Sequence, residues 1–298
     1  MKNWIRNLLV LLVVQLGLFA LLQFAGKSEA SAAAVLLELE TSEVTGLAVS
    51  DADGSEVALS LQDGEWVLAS GLPANGSKVS ELLTKLTNLN LVWPVSTSSA
   101  THERFEVAQD KYQRRLELND GAATLLFGTS PGYQQLHARG ASDDVYAVKL
   151  ATYEMPATAD DWLDKSVLHA TGEVSSVRWA NGLTLEKETD GSDSWTVGGE
   201  AASTVAAQNT VQRLAELEVL GVLPAAPSAA PSDARQILLS DTAGEYRLSY
   251  WPRESNNDHV VMSTRYPGEA FRMSNYVAEQ LEPAQAELAE PAVESPAS

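Results

Sequence analysis

The spacing of apolar residues changes character twice along this chain. Residues 8–25 form a nearly continuous apolar block, interrupted only by Gln15, Gly17 and Gln23. It is carried by Leu8, Leu9, Val10, Leu11, Leu12, Val13, Val14, Leu16, Leu18, Phe19, Leu21, Leu22 and Phe24. The core of a cleaved signal runs about 7–15 residues, whereas a spanning helix needs about 20. With Trp4 and Ile5 at its edge, the block predicts a retained N-terminal transmembrane helix. Ser28-Glu29-Ala30 and Ala30-Ser31-Ala32 supply the small residues of a cleavage site, so residues 1–30 are read as an anchor or a signal. Lys2 and Arg6 precede the block, and basic residues are retained on the cytoplasmic side, which puts everything after Lys27 outside.

From Val44 the period becomes two. VTGLAVSD, SEVALSLQ and GEWVLAS read as strands separated by Asp53-Gly54 and Asp63-Gly64, a pairing that favours tight hairpin turns. Val79, Leu82, Leu83, Leu86 and Leu89 then fall on one helical face, with Asn75 or Ser77 as the N-cap and Pro94 closing a following strand. Strands return in RRLELND, GAATLLFG, QQLHARG and DDVYAVK. The same order recurs in EVSSVRWA, LTLEKETD and DSWTVGG, where Trp195 stands in the place of Trp66. A second helix follows, capped by Ser203 and presenting Ala207, Val211, Leu214 and Leu217, then RQILLSD, EYRLSYW, HVVMSTR and EAFRMS.

This pattern predicts an α+β protein of two related strand-rich repeats, each an antiparallel sheet with one packed amphipathic helix. The repeats span residues 35–170 and 171–282 and follow the transmembrane helix. Each is long enough for its own core. PAAPSAAPS at residues 224–232 reads as a stiff exposed insertion, and the Ala/Pro/Glu-rich residues 283–298 as a disordered acidic tail.

Forty acidic against 20 basic residues give a net charge of −20, which excludes a phosphate-backbone partner such as nucleic acid and disfavours anionic lipid headgroups. The absence of cysteine removes disulfides, thiol nucleophiles and Cys-ligated metals. Gly128-Thr129-Ser130-Pro131-Gly132 spells the nucleophile-elbow pattern, but Pro131 lacks the N–H that the oxyanion would need. His102 and Glu106 have helical ligand spacing without a third ligand, and His137, His169 and His259 stand alone. Asp51-Ala52-Asp53-Gly54 and Asp190-Gly191-Ser192-Asp193 lack the rest of a calcium loop. Asp160, Asp161 and Asp164 around Trp162 read as a solvated helix start rather than an acid–base pair. No catalytic, cofactor-binding or metal-ligating residue is assigned on these grounds, and no cofactor is expected.

GEWVLASGLPANGSKVSELLTKLTNLNL, LLFGTSPGYQQLHARG, VYAV and DDWLDKSVLHATGEVSSVRW, with Trp162, Asp164, Lys165 and Leu168, resemble the bacterial domain-of-unknown-function family 4340. The resemblance runs from about Val44 to Phe271; the 224–232 stretch and the acidic tail depart from it. It implies a single-pass protein of the bacterial inner membrane with its bulk on the extracytoplasmic side. It further implies an accessory or scaffold subunit of an ABC-type transport complex, with the membrane and transport subunits as partners and no catalytic residues to transfer. A different reading is a periplasmic glycan- or peptide-binding module using Trp93, Trp179, Trp251 or Tyr133, its ligand unknown; a hydrolase is the third.

Overall fold

The computed structural model describes residue 15 and residues 36–289, apart from 38, 90, 92, 190–192 and 255–256. The anchor residues, Leu8 to Val14 and Leu16 to Phe24, lie outside the described residues. Among the described residues no helix is long and apolar enough to cross a membrane.

The chain is α+β, with two large sheets whose strand pairs are all antiparallel. In the first half the alternation of residues 44–70 yields β1 (Gly46–Asp51), β2 (Glu56–Gln62) and β3 (Glu65–Leu68). Asp63 and Gly64 both take positive φ in the β2–β3 turn, as the Asp-Gly pair predicts. Helix α1 (Gly76–Thr87) buries Val79, Leu82, Leu83 and Leu86 and starts at Asn75, whose Oδ1 accepts from the Lys78 N–H at 3.0 Å. Leu89 lies past the helix, partly buried against the core.

A flap follows, built of α2 (His102–Phe105), β4 (Val107–Ala108) and β5 (Lys111–Tyr112). The chain then makes β6 (Arg114–Leu118), β7 (Ala123–Phe127), β8 (Leu136–Arg139) and β9 (Val145–Val148), giving the order β3-β2-β1-β6-β7-β8-β9. Leu59, Leu47 and Leu118 face inward in one cross-strand row, and Val57, Val49 and Leu116 in the next.

After α3 (Ala159–Trp162), the second half has β10 (Val174–Trp179), β11 (Thr184–Lys187), β12 (Trp195–Val197), β13 (Glu200–Ala201) and helix α4 (Thr204–Ala215). It continues with β14 (Gly221–Val222), β15 (Arg235–Asp241), β16 (Gly244–Pro252), β17 (Asp258–Ser263) and β18 (Phe271–Ser274). The order is β13-β12-β11-β10-β15-β16-β17-β18-β14, so β12-β11-β10-β15-β16-β17-β18 repeats the path of the first sheet. Ser203 occupies the N-cap of α4 but its side chain makes no capping bond, and the helix ends before Leu217.

The 224–232 stretch is a crossover rather than a mere insertion. Val222, Phe271, Val261, Tyr250 and Arg235 form one cross-strand row, so the chain must pass three strands to travel from β14 to β15. In the first half Ser96 bridges Val145 on the edge strand, and the flap makes the equivalent passage to β6. There Phe105, Val107, Leu126 and Val145 form a small second core, which is why both faces of β8 are buried.

The polypeptide after β18 packs back on the second half. Following α5 (Asn275–Glu279), α6 (Gln285–Leu288) buries Leu288, and Ala289 bridges Ala202. Leu281 and Leu288 join the core, so packing continues past residue 282; residues 290–298 lie outside the described residues. Apart from that small second core, the buried apolar side chains of the two halves form one contiguous cluster.

Candidate functional site

The polar residues singled out around Trp162 come together as a joint between the halves. Trp162 is fully buried and its Nε1 donates to the Pro156 carbonyl at 2.7 Å. On one side the Asn75 N–H donates to the Trp162 carbonyl at 2.7 Å, and the Asp164 N–H to Pro73 at 3.0 Å. On the other side Ala170 N–H donates to Ala215 at 2.7 Å and Val219 N–H to Lys165 at 3.0 Å. Asp160 accepts the Val222 N–H at 2.7 Å through Oδ1 and pairs with the Arg272 guanidinium through Oδ2. Gly221 makes room for that pair, since a β-carbon there would stand 2.4 Å from the Asp160 carboxyl carbon and 2.5 Å from Arg272 Nη2.

Two lysines close the joint. Lys165 Nζ donates to the Leu220 carbonyl at 2.7 Å and to the Asp160 carbonyl at 2.5 Å. Lys78 Nζ donates to the Asp161 carbonyl at 2.7 Å and lies 4.9 Å from the Trp162 ring centroid. Burial pushes both ammonium groups below the usual lysine range, against the pull of nearby aspartates. Deeper in the second half, Asp241 accepts from Thr171 N–H at 3.0 Å and Ala243 N–H at 2.9 Å and pairs with Arg265. Arg265 also donates to the His169 carbonyl at 3.0 Å, tying the connector to this sheet. Burial opposes the Asp241 charge, but Arg265 and the two amides outweigh it and hold the carboxyl below its usual range.

The three connector carboxylates serve separate bonds and do not face one another as an acid–base pair. Asp161 accepts from Thr158 Oγ1, and Asp164 Oδ1 from Ser166 N–H at 2.9 Å and Oγ at 2.7 Å. Ser130 is likewise spent locally, its hydroxyl donating to the Gly132 carbonyl at 2.7 Å. The histidine beside that loop, His137, meets Thr129 Oγ1 at 2.9 Å and stacks near Phe105, 4.4 Å between centroids; burial holds its imidazole below the usual range. His102 Nε2 contacts the Asp143 carbonyl at 2.9 Å, while Glu106 accepts from Gln113 Nε2 at 2.9 Å, so the two do not share a ligand position. His259 Nδ1 contacts Asn275 Oδ1 at 2.7 Å. Asp51 accepts from the Asp53 and Ser55 N–H groups at 3.0 and 2.9 Å as a turn, and residues 190–192 of the second acidic turn lie outside the described residues. Among the described residues no group of three or more His, Asp or Glu is placed to hold a metal ion.

The aromatics divide sharply. Trp179 is buried, with Nε1 donating to the Leu281 carbonyl at 2.7 Å, and Trp251 is half-buried. Trp93 is 80% exposed and Tyr133 88%. Trp93 precedes Val95, whose N–H donates to Val145 at 2.7 Å, so it flanks the edge strand β9. Tyr133 sits in the β7–β8 loop, and neighbouring Gln134 donates to the exposed Tyr153 hydroxyl at 3.1 Å. The sequence analysis does not single out Tyr153, because nothing local to it marks the ring as exposed. This edge carries exposed aromatic surface of the kind enriched at protein interfaces.

Residues 66–237 match the family described as Domain of unknown function (DUF4340), more than half of the 298-residue chain. No curated protein and no solved structure matches.

Proposed function

Since the chain belongs to the DUF4340 family, whose description assigns no activity, we propose a membrane-tethered scaffold that docks subunits of a transport complex and performs no chemistry of its own. In this reading the two sheets are a duplicated unit, held outside the cytoplasmic membrane by the helix predicted over residues 8–25.

The observation that carries the proposal is the shortness of the tether. Leu36 and Leu37, with which the described stretch 36–289 begins, are already buried in the core. The Leu36 carbonyl packs so closely on Gly140 that a β-carbon there would stand 2.6 Å away. The ten residues between the apolar block and Leu36 reach at most roughly 35 Å when fully extended. Such a tether keeps the aromatic edge close to the bilayer and raises its effective concentration for membrane partners.

The test is photo-crosslinking in cells from position 93 of the full chain, followed by detergent extraction and identification of the adducts. Transport-complex subunits should be captured, and capture should fall when residues 1–30 are replaced by a cleavable signal. Recovery of the protein without adducts would overturn the scaffold reading. Trp93→Ala should reduce co-purification of those subunits while shifting stability by less than about 0.5 kcal/mol, as an exposed side chain does.

A further inference from the structure

Each half has a groove between its packed helix and the turn after its last strand, and only one of the two is bridged by charge. In the first half, Lys85 on α1 pairs with Glu154 across a groove of about 330 Å³. In the second half, Arg213 holds the same place on α4, two residues before the helix end, as Lys85 does on α1. Gln280 lies six residues beyond β18, as Glu154 lies six beyond β9, so a neutral amide stands where the first half has a carboxylate. The cleft there is larger, about 490 Å³, within the range of small-molecule sites.

Among the described residues Arg213 joins no ion pair; its Nη2 reaches Thr210 Oγ1 at 3.3 Å. Glu216 and Glu218 line the same cleft, Glu216 accepting only the Gln212 amide at 3.2 and 3.4 Å. Leu217 and Leu281 form a buried apolar floor. A lone anion would meet the two glutamates, and a lone cation would meet Arg213. A molecule with both charges satisfies both sets, and an apolar side chain would cover the floor. We infer that this cleft binds a small zwitterion of the free amino acid or short peptide class, its carboxylate on Arg213 and its ammonium on the glutamates.

The experiment is calorimetric titration of the detergent-solubilised full chain with the dipeptide Leu-Leu, its N-acetyl form and its C-terminal amide. Leu-Leu should bind saturably and each blocked form about tenfold or more weakly, the loss expected for one charge-assisted hydrogen bond. Arg213→Gln and Gln280→Glu should each weaken Leu-Leu binding by a similar factor. Gln280→Glu should not lower the melting temperature, because it rebuilds the pair of the first half. Absence of Leu-Leu binding, equal binding of the blocked forms, or unchanged affinity in both variants with unaltered circular dichroism would each overturn the inference.

Discussion

Asp241 has no side-chain exposure and rests on one guanidinium and two backbone amides. A carboxyl held below its ordinary pKa contributes stability that is complete above the unfolded-state value of about 4 and is lost as pH falls through the folded-state value. Asp241→Asn should therefore destabilise the protein by about 3 kcal/mol at neutral pH, the cost of removing one partner of a buried pair. Denaturant titrations from pH 7 to pH 3 should show the difference between the two proteins shrinking below about pH 4; a constant gap would refute the assignment. Gly221 makes a second prediction at this scale. Gly221→Ala drives a methyl group into the Asp160–Arg272 pair and should cost about 1–3 kcal/mol, read as a lower denaturation midpoint.

At the scale of elements, the two helices invite a direct comparison. Both span 12 residues and both bury one face, yet only α1 carries a side-chain N-cap. Asn75→Ala should cost about 1 kcal/mol, whereas Ser203→Ala should stay within about 0.5 kcal/mol. Paired urea denaturation of the two variants measures the difference, and equal losses would show that the Asn75 bond contributes nothing. The crossovers differ in a related way. The first half spends its passage over the sheet on a flap with a small core of its own, while the second half uses residues rich in Pro and Ala that stay exposed or half-buried. Proline limits the conformations lost on ordering, so the shorter crossover is held with little apolar burial.

For the whole molecule, the contiguous core and the joint predict cooperative unfolding of both halves. Trp162 touches both: its carbonyl holds Asn75, and its helix carries Asp160 to Arg272. Trp162→Ala should remove about 3–5 kcal/mol and lower the transition of the two halves together. Hydrogen exchange at β1 and β15 reports each half separately, and loss of protection confined to one would show that the joint does not couple them. The aromatic edge and the zwitterion cleft lie on different halves, so the joint stands between the two proposed contacts.

Local order was legible because its causes are local. The spacing of Val79, Leu82, Leu83 and Leu86 marks an apolar face wherever the helix packs, and Asp63-Gly64 favours its turn whatever the sheet around it. The recurrence of Trp66 as Trp195 likewise needs no partner to be visible, and the two sheets share their strand path. Contacts across the chain were not legible. Asp160 reads as a solvated helix start because its partners Val222 and Arg272 stand 62 and 112 residues away. The exposure of Trp93 against the burial of Trp179, and the meeting of Arg213 with Gln280 along one cleft, depend on which surfaces the fold brings together. Sequence by itself determined the periodicities, the turns, the charge and the apolar N-terminal block, since each follows from neighbouring residues. Only the tertiary structure decided which polar groups were paired, because burial and ion pairing arise between segments that the chain itself holds far apart.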